Sequence, residues 1–185
     1  VGTAFSITIL TATASVLTHR RYKAVDMSII QNYGSFVIIG VFTGTVMAAF
    51  MNTKTLLFFF SVVVYFFGAY LMMAQEQIKK IKTNLSIKPR IILGLFSGFI
   101  SAPMGITGAM MNVPILRYLG YPISKCIGSA AAIGFFISFT GSLGFLLSGF
   151  YFNVDLPFSV GFINIPAFVL FVPITTFMAR VGANT

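Results

Sequence analysis

The charged residues divide the chain into six long uncharged stretches. These stretches are residues 1–18, 30–51, 55–75, 91–116, 126–154 and 156–179. A helix needs about 20 predominantly apolar residues to cross the hydrocarbon core of a bilayer, so five stretches are long enough and the first is marginal. Long apolar runs without alternating polarity favour helices over strands. The pattern predicts an all-α, polytopic transmembrane protein.

The composition agrees with a membrane protein. Of the 185 residues, 57% are hydrophobic and 8% are charged, whereas a soluble domain normally carries about 25% charged residues. The net charge of +9 comes from basic residues in short loops, as the positive-inside rule predicts, and does not indicate nucleic-acid binding. One cysteine and one histidine provide neither an internal disulfide nor a metal site, so no cofactor is predicted.

The loops predict how the spans are oriented. The connection at residues 52–54 is short, so spans 30–51 and 55–75 form an antiparallel helical hairpin. It follows that loops 19–29 and 76–90 lie on the same side of the membrane. Both loops are rich in Lys and Arg, which predicts that this side is cytoplasmic.

Short motifs from the first part of the chain recur, in the same order, in the second part. They are Gly2-Thr3-Ala4 with Gly128-Ser129-Ala130, Val25-Asp26-Met27 with Val154-Asp155-Leu156, and Ser35-Phe36-Val37-Ile38 with Ala167-Phe168-Val169-Leu170. We interpret residues 1–75 as three spans of a first repeat, 76–90 as a cytoplasmic basic loop, and 91–185 as three spans of a second repeat. On this alignment the chain is a fragment without the first and last spans. The repeats are parallel if every span crosses fully and inverted if one is re-entrant.

Residues 91–116 combine helix-breaking and polar residues in one stretch. Pro103 and Pro114 lack a backbone donor, and Gly105 and Gly108 lie between them. A helix broken near mid-membrane explains this combination, and irregular backbone at that depth must be buried in protein or line a wet cavity. The free N–H groups at the start of a half-helix attract anions. The alternative is that small residues only allow close helix packing, which suits the glycines early in this stretch.

Several ordered motifs resemble the sulfite exporter family of the TauE/SafE type, a group of bacterial membrane permeases. The motifs are Ser97-Gly98, Met104-Gly105-Ile106-Thr107-Gly108-Ala109, Val113-Pro114, Gly120-Tyr121-Pro122-Ile123 and Gly128-Ser129-Ala130-Ala131-Ala132. The likeness covers most of 94–183 and is looser in the first half. The family's glycine triplet is reduced here to Gly108. The resemblance implies a multi-pass protein of the bacterial inner membrane that moves sulfite or another sulfur-containing anion.

The function predicted is a permease or exporter for a small anion, which is bound at the broken helix between the two repeats. Besides this substrate, the lipid bilayer is the predicted partner. Candidate substrate-binding residues are Ser101, Gly105, Thr107, Gly108, Asn112, Gly128, Ser129, Thr3 and Ser6. An anion channel and a non-catalytic membrane subunit are the alternatives. A serine hydrolase is disfavoured because the nucleophile needs a nearby base, and the sole histidine, His19, lies at the charged end of a span.

Two acidic residues and several tyrosines lie near the predicted span ends. We interpret Asp26 and Asp155 as helix N-caps, with Pro157 just inside the second helix, rather than as a pair of protonatable groups. Tyr22 and Tyr33 are interpreted as interfacial aromatic residues, because amphipathic rings favour the headgroup level.

Overall fold

The structure is a computed structural model that describes residues 1–73, 87–106, 109–152 and 157–184. Most of the described residues are helical. The helices are α1 (Gly2–Arg21), α2 (Met27–Phe50), α3 (Thr53–Met73), α4 (Ile87–Met104), α5 (Ala109–Tyr118), α6 (Ile123–Tyr151) and α7 (Ile165–Asn184). Two short antiparallel strands, β1 (Ser159–Val160) and β2 (Ile163–Asn164), precede α7.

Among the described residues, three helices are long and apolar enough to cross a membrane. They are Met27–Phe50, Ile123–Tyr151 and Ile165–Gly182. Large apolar side chains on α3 and α7, such as Phe58 and Leu170, remain exposed on the protein surface, as lipid-facing positions require. The prediction of an all-α polytopic membrane protein is confirmed.

α2 and α4 run in the same direction and pack closely along much of their length. Gly94 lies against Tyr33, and one turn later Gly98 lies against the backbone of Val37. On the facing helix, Gly40 lies against the backbone of Leu95. Small residues let membrane helices approach to backbone contact, so the packing interpretation of these early glycines is confirmed.

α6 runs in the same direction as α2, and α1 runs against both. Gly34 lies near Ile133 and, further along both helices, Gly144 lies against Thr45. Phe5, in the first turns of α1, packs on the late α6 residue Gly141. α1 is therefore antiparallel to α6.

α7 follows the direction of α1. The Thr11 hydroxyl donates to the Thr175 hydroxyl over 3.0 Å, and residues near the ends of α1 and α7 share one cavity wall. The helices that the predicted repeat equates, α1 with α6 and α2 with α7, therefore run in opposite directions. This is the orientation of an inverted repeat, although the repeat itself stays a prediction.

These directions separate two membrane faces by charge. One face carries the ends of α1, α5 and α7 and the starts of α2, α4 and α6; we call it the basic face. Its basic residues are Arg20, Arg21, Lys23, Lys88, Arg90, Arg117, Lys125 and Arg180. Among the described residues, Lys54 is the one basic residue at the other face, which we call the Lys54 face. The predicted same-side placement of the two basic loops is confirmed for their described parts.

Two predicted boundaries are wrong. The last stretch, 156–179, does not begin a helix near Pro157: α7 starts at Ile165, after a hairpin whose two strands are joined through Gly161 at φ +56°. Uncharged sequence does not distinguish this hairpin from a helix, because charge counts are insensitive to backbone conformation. The segment 76–90 is also not all loop, since Ile87–Arg90 form the first turn of α4; residues 74–86 lie outside the described ranges.

Candidate functional site

The predicted break in stretch 91–116 is present in the structure. α4 ends at Met104, and Gly105 has φ +64°, a conformation that only glycine adopts readily. α5 begins at Ala109. Thr107 and Gly108, two of the predicted site residues, lie outside the described residues.

The break makes this stretch re-entrant rather than spanning. α4 enters from the basic face, and α5 returns to the same face, where Lys125 follows at the start of α6. α5 has 10 residues, about 15 Å of helix, so its first residue lies roughly halfway through a hydrocarbon core of about 30 Å. Pro114, predicted to interrupt the chain, instead lies inside α5, because a proline removes one ladder hydrogen bond without necessarily ending the helix.

A buried polar cluster joins α2, α4 and α5 behind the break. The Tyr33 and Ser97 hydroxyls donate to Asn112 Oδ1 over 2.7 and 2.6 Å. Ser101 donates to the Ser97 carbonyl over 2.7 Å and lies near the sulfur of Met111. All five residues are buried.

The Asn112 amide is only half satisfied within this cluster. Its oxygen accepts two hydroxyl donors, while its Nδ2 is buried without a partner among the described residues. A buried donor without a partner costs about 1–3 kcal/mol. Asn112 therefore offers N–H groups to an acceptor at mid-depth.

A cavity of about 320 Å³ lies beside the start of α5, between α1, α6 and α7; we call it the basic-face cavity. Ala109, the first residue of α5, forms part of its wall. Its polar wall comes from α1 and consists of Thr8, Thr11, Ser15 and His19. Within the described ranges, no Asp or Glu side chain lines it. A larger groove along α7 is lined entirely by apolar residues and offers no group that could hold an anion.

Gly105 faces α1 rather than this cavity. A methyl group at Gly105 would lie 3.3 Å from Val1 Cγ1 and 3.8 Å from Ala4 Cβ. Ser6 is nearby on α1 and shares a 2.7 Å hydrogen bond with Ser142 of α6. These contacts hold the break against the start of α1.

Ser129 and Gly128 lie far from Ser6. Ser129 and Ser142 are thirteen residues apart on α6, which corresponds to about 20 Å of helix. Ser129 accepts the backbone N–H of Asp26 over 3.0 Å, and a methyl group at Gly128 would lie 2.5 Å from the Ala24 carbonyl oxygen. We call this contact the basic-face latch.

Thr3 forms a matching contact at the Lys54 face. Its hydroxyl accepts the backbone N–H of Asn164 over 2.9 Å. A methyl group at Gly2 would lie 2.8 Å from the Phe162 carbonyl oxygen. We call this contact the Lys54-face latch. The structure thus brings Ser101 and Asn112 together but leaves Thr3 and Ser129 at opposite faces.

The N-cap interpretation of Asp26 is confirmed, since its carboxylate accepts the Ser28 N–H over 3.0 Å. Lys125 also donates to this carboxylate over 2.7 Å and thereby lowers the pKa of Asp26 below 3.8. Asp155 lies outside the described residues. The residue that caps α7 is Asn164, whose side-chain oxygen accepts the Ala167 N–H.

We expect Lys125→Met to remove a small, pH-dependent stabilisation. Because the pKa of Asp26 is lowered in the folded protein, the ion pair stabilises the fold above pH 3.8 and its contribution disappears as pH falls. The Lys125 side chain is 46% exposed, so the effect is below about 1 kcal/mol. Melting curves in detergent should show a difference from wild type at neutral pH that closes on acidification. A difference that widens on acidification would contradict this assignment.

Tyr33 and three polar residues of α1, Thr8, Thr11 and Ser15, are not among the site residues that the sequence predicts. Tyr33 was predicted at the headgroup level, but it is buried and reaches Asn112 from a π-helical turn, Ile30–Gly34. The partner is 79 residues away in the sequence, so no local pattern reveals the contact. Such π-turns often occur at functional sites.

The proteins that this chain resembles in sequence are membrane transporters. The family model for "Sulfite exporter TauE/SafE" matches residues 1–185. A "Probable membrane transporter protein" of Haemophilus influenzae is 22% identical over 99% of the chain and 69% of its own length. One of Methanocaldococcus jannaschii is 22% identical over 94% of the chain and 65% of its own length. No solved structure matches. The chain belongs to the sulfite exporter TauE/SafE family of multi-pass membrane transporters.

Proposed function

We propose that this protein carries a small oxyanion across the membrane, with sulfite or an organosulfonate as its substrate. The observation that carries the proposal is that the first residue of the re-entrant helix α5 lies in the wall of the basic-face cavity. The substrate would bind in this cavity, against the start of α5.

The groups around the start of α5 suit an anion. A helix N-terminus carries roughly half a positive charge, and its first N–H groups have no partner within the helix. From α1, Ser15 adds a hydroxyl donor, and the hydroxyls of Thr8 and Thr11, which donate to Ala4 and Thr175 in this structure, would turn to the substrate when it binds. Among the described residues, the cavity wall contains no carboxylate that would repel an anion.

We place Asn112, one turn into α5, behind the cavity wall as a further donor, because its side chain lies in the buried cluster next to the start of α5. Tyr33 and Ser97 occupy its oxygen, so the amide presents N–H groups and no acceptor. The N–H groups of Asn112 and of the start of α5 favour ligands that accept hydrogen bonds, such as sulfite and sulfonate oxygens. The family name supports this substrate class. We include Ser101, Thr107 and Gly108 in the site from the sequence pattern.

The direct test is flux through the full-length protein in liposomes. We expect saturable sulfite uptake that sulfoacetate or another oxyanion inhibits and that organic cations do not. Conductance proportional to voltage, without saturation, would favour the anion-channel alternative. Absence of flux for every sulfur oxyanion tested would overturn the proposed substrate class.

Removing the cavity hydroxyls should weaken substrate binding specifically. We expect Thr11→Val combined with Ser15→Ala to raise KM for sulfite about tenfold or more, since hydrogen bonds to charged groups are worth about 1.5–3 kcal/mol each. Thr43→Val with Ser61→Ala is the matched control, because both residues are exposed on α2 and α3. Equal KM values for sulfite in the two double variants would show that these α1 hydroxyls do not bind the substrate.

A further inference from the structure

The two latches have the same construction. In each, a hydroxyl in the first turns of one helix accepts the N–H of the residue that caps another helix: Ser129 from Asp26 and Thr3 from Asn164. Asp26 caps α2 and Asn164 caps α7. Asp26 and Asn164 therefore have the same role in the two latches, while Asp155, the counterpart of Asp26 in the sequence motifs, lies outside the described residues.

The glycines before these hydroxyls also match. Gly128 and Gly2 each leave room for a carbonyl oxygen two residues ahead of the cap, namely that of Ala24 or Phe162. At both positions an added methyl group would meet backbone and not a flexible side chain. The same four-part arrangement therefore occurs once at each membrane face, as expected of inverted repeats.

Each latch borders its own cavity. The basic-face cavity is lined by Ala130 and Ala131, directly after Ser129. A second cavity of about 320 Å³, the Lys54-face cavity, is lined by Gly2 and Phe162 of the other latch.

The helix break stands between these two cavities. Pro103 and Met104, at the end of α4, line the Lys54-face cavity, and Ala109, at the start of α5, lines the basic-face cavity. A substrate at the break would therefore have one cavity, and one latch, on each side.

The two latches are mechanically connected through the antiparallel pair α1 and α6. In the basic-face latch, Asp26 follows the end of α1 and Ser129 lies near the start of α6. In the Lys54-face latch, Thr3 lies at the start of α1 and Asn164 ends the hairpin that follows α6. Both latches are formed in this structure, and tilting α1 against α6 about the middle of their contact would separate one latch and leave the other closed.

From this geometry we propose that the two latches are alternating gates, with Ser129 and Thr3 as the residues that hold each gate shut. The proposal rests on the proposed transport function and adds the route by which substrate reaches the break from either face. The gates are not equivalent, because the Lys125–Asp26 ion pair of 2.7 Å supports the basic-face latch, whereas the cap of the other latch is the neutral Asn164.

Thiol labelling can test this without any substrate. In a Cys126→Ala background, which removes the single cysteine, Ala131→Cys reports on the basic-face cavity and Ala49→Cys on the Lys54-face cavity. A membrane-impermeant maleimide is applied from the face that each cavity adjoins. Whole cells and inverted vesicles expose the two faces separately.

We expect Ser129→Ala to accelerate labelling at position 131 about fivefold, the ratio expected for one lost hydrogen bond, and to slow labelling at position 49. Thr3→Val should slow labelling at position 131 and accelerate labelling at position 49. Ser129→Thr and Thr3→Ser retain the hydroxyl and should label like the parent. Lys125→Met removes the ion pair that supports the basic-face latch and should change labelling in the same direction as Ser129→Ala. Because Lys125 is exposed, this variant still tests the latch if Ser129→Ala does not fold.

Opposite changes in labelling at the two reporters distinguish alternating gates from a general loosening of the protein. Labelling that rises at both reporters, or changes at neither, would overturn the gate proposal. Opposite labelling changes at positions 131 and 49, in a protein that shows no sulfite flux, would support the gate proposal and refute sulfite as the substrate. Saturable sulfite flux without opposite labelling changes at the two reporters would support the substrate and overturn the gates.

Discussion

Replacing Gly98 by alanine is expected to destabilise the protein by several kcal/mol, although alanine normally favours a helix. The added Cβ would collide with the Val37 carbonyl oxygen and lie 2.8 Å from the Val41 nitrogen. Both are backbone atoms, so neither can rotate away, and α2 and α4 would have to separate. Separation would also loosen the hydrogen bonds of Tyr33 and Ser97 to Asn112. Overpacking of this kind costs about 1–3 kcal/mol or more.

Whether a Gly→Ala substitution lowers or raises the melting midpoint distinguishes a closely packed glycine from one in open space. At an open helical position, Gly→Ala stabilises by up to about 1 kcal/mol. Gly68 on α3 provides that control, because a methyl group there would meet no atom within 4 Å. Melting of purified protein in detergent should show a lower midpoint for Gly98→Ala and an equal or higher one for Gly68→Ala. Two unchanged midpoints would contradict the close packing of α2 on α4.

Asn112→Asp is expected to reduce sulfite flux about a hundredfold or more at neutral pH. The substitution keeps the oxygen that accepts from Tyr33 and Ser97, so the cluster can still form. It removes the Nδ2 donors and adds a negative charge one turn from the start of α5, against which the anion is proposed to bind, and like charges a few ångströms apart repel strongly at low dielectric. Flux measured in liposomes, together with folded yield, separates a binding defect from a folding defect.

The pH dependence makes this test specific. At lower pH the carboxyl introduced by Asn112→Asp takes up a proton, and transport should recover. Asn32→Asp is the matched control, since Asn32 is exposed near the start of α2 and donates only to Ser28. Wild-type flux for Asn112→Asp at all pH values would exclude Asn112 from the anion path.

Much of the architecture could be predicted because membrane insertion depends on local composition. A charged residue in a span is costly wherever the rest of the chain lies, so the gaps between charges located the spans, and the basic loops ordered the two faces. The break at Gly105 could also be predicted, because glycine and proline act on backbone conformation locally. The hairpin before α7 could not, since its Gly161 turn carries no charge signal.

The candidate site was predicted only in part. Asn112 and Ser101 were expected near the break, and they lie in one buried cluster behind it. Thr3 and Ser129 were expected to line the same cavity, but each forms a latch at a different face. Hydroxyl residues look alike in sequence, whether they face a cavity or accept a backbone N–H from a distant loop.

By itself, the sequence determined that the chain is a helical membrane protein with basic loops on one side and a broken helix in its second half. Hydropathy, charge and backbone preference are properties of neighbouring residues, so they can be recognised without coordinates. The tertiary structure alone decided that the broken stretch is re-entrant, that Tyr33 orients Asn112, and that matched latches lie at opposite faces. These features depend on contacts between residues 79 to 161 positions apart, which helix packing creates.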